Sequence, residues 1–564
     1  MGKIKEFLSD AYAAHWVLLL ALVFSGGFNE YVSCALSAVI SVLLIIKIAR
    51  NKSFIVNINT TSISVAVIAL FYLISCFYAI DSGMAFVGLL KFLPVMMYML
   101  LLMQDKKVKK QLIGLLPYTA LALGALSLVL AFIPATRDYF TVSDRLGGFF
   151  QYPNTFALFL LIGELAALNK ERLKAVDIIS AVLLVVLLLF TGSRAVFVLA
   201  VFSNVLIIFF KKGKKAKITL GIVLAVLVVA VLIMLPLLKN TEIFSRYFTI
   251  SLTESTFVGR LLYCSDALPV ILNHPFGLGY MGYYYIQQSI QTGVYSIKFI
   301  HNDIFQLLLD VGWIPCVLFV AAVMKSFFAK GKSAGNRIIL LTFFLHCMFD
   351  FDLQFTSMFF VILLFLDFDS GKRFEFQRGR TGFVFLFAIT GLLSLYFATA
   401  LALAHYGCNE ASDSMFPGNT QNKVDLLIAE DDITDQNAIA DMIISQNEYV
   451  QIAYSAKARY AYSQGDFESL ISYKNKIFQI APFSYDEYED YCYMLIQGVE
   501  LYKQTGDEYS AEYCIQELTK TVRKLKALDG RLSELGKMIY DQPKTELPQD
   551  IMDYISENGG EVDR

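Results

Sequence analysis

Four polar stretches interrupt an otherwise apolar chain, and each carries residues suited to an anionic ligand. RLGGFFQYPNTFALFL (145–160) sets Arg145 and a Gly pair ahead of Tyr-Pro-Asn. FTGSRAVFVLAVF (190–202) puts Arg194 in a turn so tight that Gly192 and Ser193 leave little room for water around it. STFVGRLLYCSDALPVILNHPFGLGYMGYYY (255–285) carries Arg260 and Asp266, and FIHNDIFQLLLDVGWIP (299–315) brings His301, Asn302 and Asp303 to the head of an apolar run. Guanidinium groups stay charged at any relevant pH and grip phosphate oxygens in pairs, so Arg194 and Arg260 suit clamps for a phosphorylated ligand. An imidazole titrates near neutrality, so His301 suits either a base for an attacking hydroxyl or a donor to phosphate, and sequence does not separate the two. Asp266 and Asp303 are weaker base candidates.

Each has a structural alternative. Arg194 also fits an interfacial arginine that snorkels, and Pro153 with Asn154 fits a helix start. Asp303 followed three residues on by Gln306 reads as a capping box, which accounts for Asn302 and Asp303 but not for His301. Lys91, in GMAFVGLLKFLPVMMYML (83–100), either pairs with a carbonyl freed by Pro94 or reaches toward the same phosphate. HPFGLGYMG lacks the flanking strand of a phosphate-binding fingerprint, and 255–285 reads as a re-entrant or interfacial loop buried against protein. Tyr283, Tyr284 and Tyr285 fit an interfacial aromatic belt better than a sugar-stacking platform.

The elements that must position these residues are membrane helices. Of 564 residues 56% are hydrophobic and 17% charged, too apolar a balance for an ordinary soluble domain. Runs long enough to span number about thirteen, centred near 12–28, 31–49, 60–80, 84–103, 111–133, 151–168, 173–191, 194–210, 217–238, 302–325, 336–350, 354–370 and 382–404. No A-x-A-like cleavage site follows the first, which reads as a retained span. The loops at 47–53, 105–110, 169–174, 211–217, 325–337 and 371–380 are all basic, and the ones between are acidic, mixed or aromatic. The basic loops are expected in the cytoplasm together with the amino terminus, and the four polar stretches outside. An odd number of spans leaves the tail outside as well.

The expected organisation is a membrane domain over 1–404 with a long outer loop at 239–301, a linker over 405–430, and a soluble helical domain over 431–564. Two Gly-Asp turns, in YSQGDFESL and YKQTGDEYS, sit between amphipathic runs and resemble tetratricopeptide-type helical hairpins. ENGGEVDR at the end reads as frayed. The eight cysteines show no C-x-x-C spacing and read as buried apolar residues, although Cys492 and Cys514 are placed where they could pair. The five histidines are dispersed, with no visible metal cluster.

In order, RLGGFFQYPN, TGSRAVFVL, VGR…D…HPFGLG, HNDIFQLLLDVGW and FDFDLQF resemble the motif series of the bacterial O-antigen ligase and polysaccharide polymerase (Wzy-type) membrane glycosyltransferases, over roughly residues 60–370. The resemblance implies an all-α fold of the glycosyltransferase C type and transfer of glycan from a polyprenyl-diphosphate carrier, without cofactor or metal. It puts Arg194, Arg260 and His301 in catalytic positions. Arg145, Lys91, Asn302, Asp303 and Asp266 follow as substrate-binding candidates. The implied partners are the bilayer, a lipid-linked oligosaccharide and a protein or glycan bound by the tail, with no nucleic acid. The competing class is a transporter or flippase of lipid-linked sugar. That class calls for ionisable residues at mid-bilayer in several spans, where this chain offers Lys91 and Glu164. Polymerase is favoured over ligase.

Overall fold

The computed structural model describes residues 10–211, six positions between 213 and 225, and 255–558. Most of the expected span 217–238, the start of the loop 239–301, the amino-terminal lysines and most of ENGGEVDR lie outside the described residues. The chain is an all-α polytopic membrane protein. Among the described residues five helices are long and apolar enough to cross a membrane: Glu30–Asn51, Ser82–Met103, Lys106–Ala131, Ser255–Asn273 and Arg380–His405. Shorter apolar helices, among them Thr60–Ser75, Pro153–Leu168, Ala175–Phe190 and Arg194–Phe210, pack between them.

Three expected elements differ. Ser255–Asn273 is a helix rather than a re-entrant loop. Its buried Val258, Leu262, Asp266 and Val270 recur every fourth residue, the spacing of one helical face. The apolar run 302–325 is two helices, Asp303–Val311 and Trp313–Phe327, broken at Gly312, whose φ of 82° suits glycine. The HPFGLG loop fills that break with its backbone. Leu278 N–H donates to Leu309 O (2.6 Å), Gly279 N–H to Asp310 O (3.0 Å), and Trp313 N–H to Pro275 O (2.9 Å). The end of one helix and the start of the next are thereby satisfied. The last short run, 354–370, is helical only over Thr356–Leu363.

The basic loops gather at one end of the bundle. FIVNI (Phe54–Ile58) pairs antiparallel with KRFEF (Lys372–Phe376), Gln104 bonds both backbone groups of Ile55, and Lys109 pairs with Asp369 at 3.1 Å. On the same end Asn169 donates to Asn336 (2.7 Å) and Lys211 to Leu168 O (2.7 Å). All four polar stretches and the tail meet at the other end. There Asp81 accepts from Asn447 (3.1 Å), Thr292 donates to Ser533 (2.9 Å) and Tyr540 N–H donates to Ser255 (2.9 Å).

The tail is helical from its first residues. The stretch 409–423, expected to be a linker, forms Asn409–Met415 and the start of Thr420–Ala429. Asn419 caps the second of these, and buried Lys423 pairs with Asp413 at 2.7 Å. Both Gly-Asp turns have the same build: Gly465 and Gly506 take positive φ, and Asp466 and Asp507 cap the next helix through Ser469 and Ser510 N–H. They join Gln451–Ser463 to Phe467–Ile480 and Tyr485–Thr505 to Glu508–Lys526. Cys492 and Cys514 are free, buried thiols in this core rather than a disulfide.

Candidate functional site

Arg145, Arg194, Arg260 and His301 line one cavity of about 260 Å³ at the tail end of the bundle, with Tyr152, Asn154, Thr256 and Tyr263. Four segments far apart in sequence supply them, and each is held by local geometry. Arg145 lies in a two-residue strand, Arg145–Leu146, folded back on Thr141–Val142. Its Nε donates to Thr191 O (2.9 Å), which ties it over the Thr-Gly-Ser turn. Gly192 in that turn has φ +60°, and a Cβ there would stand 3.3 Å from Arg145 Nε, so the close approach needs glycine. Arg194 opens the helix Arg194–Phe210, and its Nη2 donates to Thr256 (3.3 Å) at the start of the helix carrying Arg260.

Asp350 is the hub, and sequence reading passed over it as part of an acidic loop. Its carboxylate accepts from Tyr152 OH (2.8 Å), Asn154 Nδ2 (2.8 Å) and Arg260 Nη2 (3.3 Å), and lies 3.4 Å from His301 Nδ1. Burial alone would push this carboxyl up. The neighbouring His301 and the charge of Arg260 outweigh burial and hold it well below the ordinary carboxylate range. Asn154, expected only as a helix-start residue, bridges the two sides: its Oδ1 accepts from Arg145 Nη2 (2.8 Å) while its Nδ2 serves Asp350. A signal was available in FDFDLQF, an acid in a short hairpin between apolar runs, where a charge is costly unless it pairs.

Among the described residues no carboxylate lines the cavity itself. Three guanidiniums and an imidazole face it, and Asp350, the carboxylate that Arg260 and His301 share, is only 1% exposed. The positions of Arg260 and His301, each 21% exposed, keep both reachable from the cavity. The His301 ring also packs edge-on against Phe351 at 5.0 Å.

The other candidates are placed elsewhere. Asn302, not Asp303, caps the helix, accepting from Ile304 and Phe305 N–H at 3.0 Å. Gln306 does not close the expected capping box, because its amide is engaged by Ile300 N–H and Asp310. Asp303 points the other way and accepts from Leu353 N–H (3.0 Å). Asp266 accepts from Thr292 N–H, Thr292 Oγ1 and Tyr295 OH, which uses it to fasten the loop that meets the tail, outside the cavity. Lys91 donates to Phe28 O (2.9 Å), not to a carbonyl freed by Pro94, and to Tyr280 OH (3.2 Å). Phe28, Phe299 and Phe351 stand between Lys91 and His301. Tyr283 and Tyr285 are buried rather than belt residues. Donor atoms of Asp303, Cys347 and Asp352 lie within 4.8 Å of one another, a grouping that residues dispersed in sequence did not disclose.

Residues 179–320 match the O-antigen ligase family model. The matched segment contains Arg194, Arg260 and His301. No curated protein matches the chain. The match supports an O-antigen ligase or Wzy-type family for this multi-pass membrane protein, and with it a glycosyl-transferring enzyme of cell-surface glycan assembly.

Proposed function

We propose that the protein transfers or polymerises polyprenyl-diphosphate-linked oligosaccharides on the outer face of the cytoplasmic membrane, with the carrier diphosphate held in the Arg145–Arg194–Arg260–His301 cavity. The observation that carries this reading is the lining: cations from four distant segments face one cavity that no carboxylate lines among the described residues. Such a site favours a dense anion, and bidentate guanidiniums suit diphosphate oxygens. The basic loops at the opposite end support a cytoplasmic amino terminus and an extracytoplasmic tail.

In the reaction, an acceptor hydroxyl oxygen attacks the anomeric carbon while the bond from that carbon to the diphosphate oxygen breaks. The leaving diphosphate keeps the electron pair, and its charge grows toward the transition state. Arginines that tighten on it stabilise that state more than the ground state, so no step of this scheme calls on a metal. With Nδ1 on the Asp350 side, 3.4 Å from its carboxylate, Nε2 is the nitrogen of His301 left to take the hydroxyl proton. Asp350 orients His301 and Arg260 and stays ionised throughout. A single displacement of this kind inverts the anomeric centre.

The test is carrier diphosphate release by the purified protein in detergent from a polyprenyl-diphosphate oligosaccharide. Elongated product without any addition identifies a polymerase, which is the expected result, and release only with an added acceptor identifies a ligase. Binding of the lipid with no release under any acceptor would overturn the enzymatic reading in favour of transport.

A further inference from the structure

A second, larger cavity of about 380 Å³ lies where the bundle meets the tail. Glu30, Tyr284 and Lys298 face it from the bundle side, and His405, Asn422 and Asp425 from the tail side. Its chemistry is unlike that of the arginine cavity. Among the described lining residues two carboxylates stand with one lysine and no arginine, a mixture that does not select a dense anion. Amide, carboxylate and ammonium groups that accept from or donate to hydroxyls surround a tyrosine ring and the apolar Met84, Val87 and Met281. A ligand with an apolar face and a hydroxylated edge fits that mixture, which describes a sugar ring.

A second observation points to a ligand. Asn422 is 0% exposed, and its Nδ2 donates to Asn409 O at 3.0 Å. Its Oδ1 is buried with no hydrogen-bond partner among the described residues. Buried amide oxygens are ordinarily satisfied, and this unpaired one belongs to a residue of the cavity lining. The cavity is also within reach of the chemistry. Lys298 faces it and His301 faces the arginine cavity, and three residues of chain span at most about 11 Å.

We infer that this cavity is a subsite for uncharged saccharide units of the acceptor chain, so that the tail helps hold the glycan whose end lies beside His301. The assignment to the acceptor rests on the transfer reading above; the affinity for saccharide does not. The probe is the oligosaccharide freed by mild acid from the carrier lipid of the source cells, titrated into the full-length protein in detergent, so that neither lipid nor diphosphate contributes. Wild type is expected to bind it, and Tyr284→Ala and Asp425→Ala to weaken binding at least tenfold. Arg260→Ala should bind within about twofold of wild type. Gln421→Ala, at an exposed lining position, replaces Tyr284→Ala if that variant unfolds on heating earlier than wild type. Absence of wild-type binding, equal affinity in the cavity variants, or loss in Arg260→Ala alone would each overturn the subsite. If the protein binds the sugar here yet catalyses no transfer, the catalytic reading fails and the subsite stands.

Discussion

Lys91 and Arg260 both stand beside a carboxylate at the same end of the bundle, and only one of them faces a place for a ligand. Lys91 is closed in: Glu30 lies 3.9 Å away, Phe28 and Phe299 rings sit 4.8 and 5.2 Å from Nζ, and the adjoining cavity of about 40 Å³ is lined by Asp303 and Asp310. Arg260 shares Asp350 with His301 and opens on about 260 Å³ that no carboxylate lines among the described residues. A buried cation is therefore not by itself evidence of a ligand. What distinguishes Arg260 is a cation-rich lining around open volume, with its partner Asp350 set behind it.

The contrast can be pressed at several points. The largest effect is expected at Asp350. Asp350→Ala should lower transfer about 10³-fold, since it releases both the base and a clamp. Its affinity for inorganic diphosphate should be kept or raised, because the negative charge that faces Arg260 is gone. A fall in diphosphate affinity matching the fall in turnover would make Asp350 a structural prop instead. Next, Arg260→Lys keeps the charge and loses the fork, and a loss of about 10²-fold is expected, measured as single-turnover carrier release. Gly192→Ala meets both a positive φ and the Arg145 side chain. It should cost about 1–2 kcal/mol locally and about tenfold in turnover, with the steady-state donor dependence showing the shift.

Lys91→Met should sharpen the comparison by doing little to chemistry. Removing one partner of a buried pair costs about 3 kcal/mol, read as a lower thermal midpoint, while turnover of the folded protein stays within about twofold. The smallest effect on transfer is expected in the tail. Burial would raise the Glu487 carboxyl, but the charge of Lys474, paired at 2.6 Å, and bonds from Lys474, Ser455 and Gln451 hold it below the ordinary value of 4.5. A depressed carboxylate adds stability that is present above that value and is lost as the pH falls through its lower folded one. Glu487→Gln should therefore destabilise the tail at neutral pH and flatten its acid unfolding limb, followed by circular dichroism against pH.

Much of this architecture was legible because the membrane imposes it. Apolar run length and the alternation of basic loops pointed to an all-α bundle, and the structure brings those loops to one end. Arg145, Arg194 and His301 were legible as polar residues at the heads of apolar runs and Arg260 as a cation in an outer loop, and they do share a cavity. Their common partner was not, since Asp350 becomes a hub only when Tyr152, Asn154 and Arg260 converge on it across the fold. Run length also misled. Gly312 divides a continuous apolar stretch, because the backbone that satisfies the broken ends comes from the HPFGLG loop, which no local pattern reveals. Ser255–Asn273 had a helical period that Gly259 and Pro269 obscured. In the tail, the turn-rich residues 409–423 suggested a linker, yet Asn419 and Lys423 are the cap and buried pair of packed helices.

The central claim is that the arginine cavity binds the carrier's diphosphate. It is tested most directly by the affinity of the purified protein for polyprenyl diphosphate compared with the corresponding monophosphate, in wild type and in Arg194→Ala, Arg260→Ala and Lys91→Met. The account predicts a preference for the diphosphate in wild type and Lys91→Met, with at least tenfold weaker diphosphate binding in each arginine variant. Equal affinity for the two lipids, or arginine variants that bind the diphosphate as tightly as wild type, would contradict it.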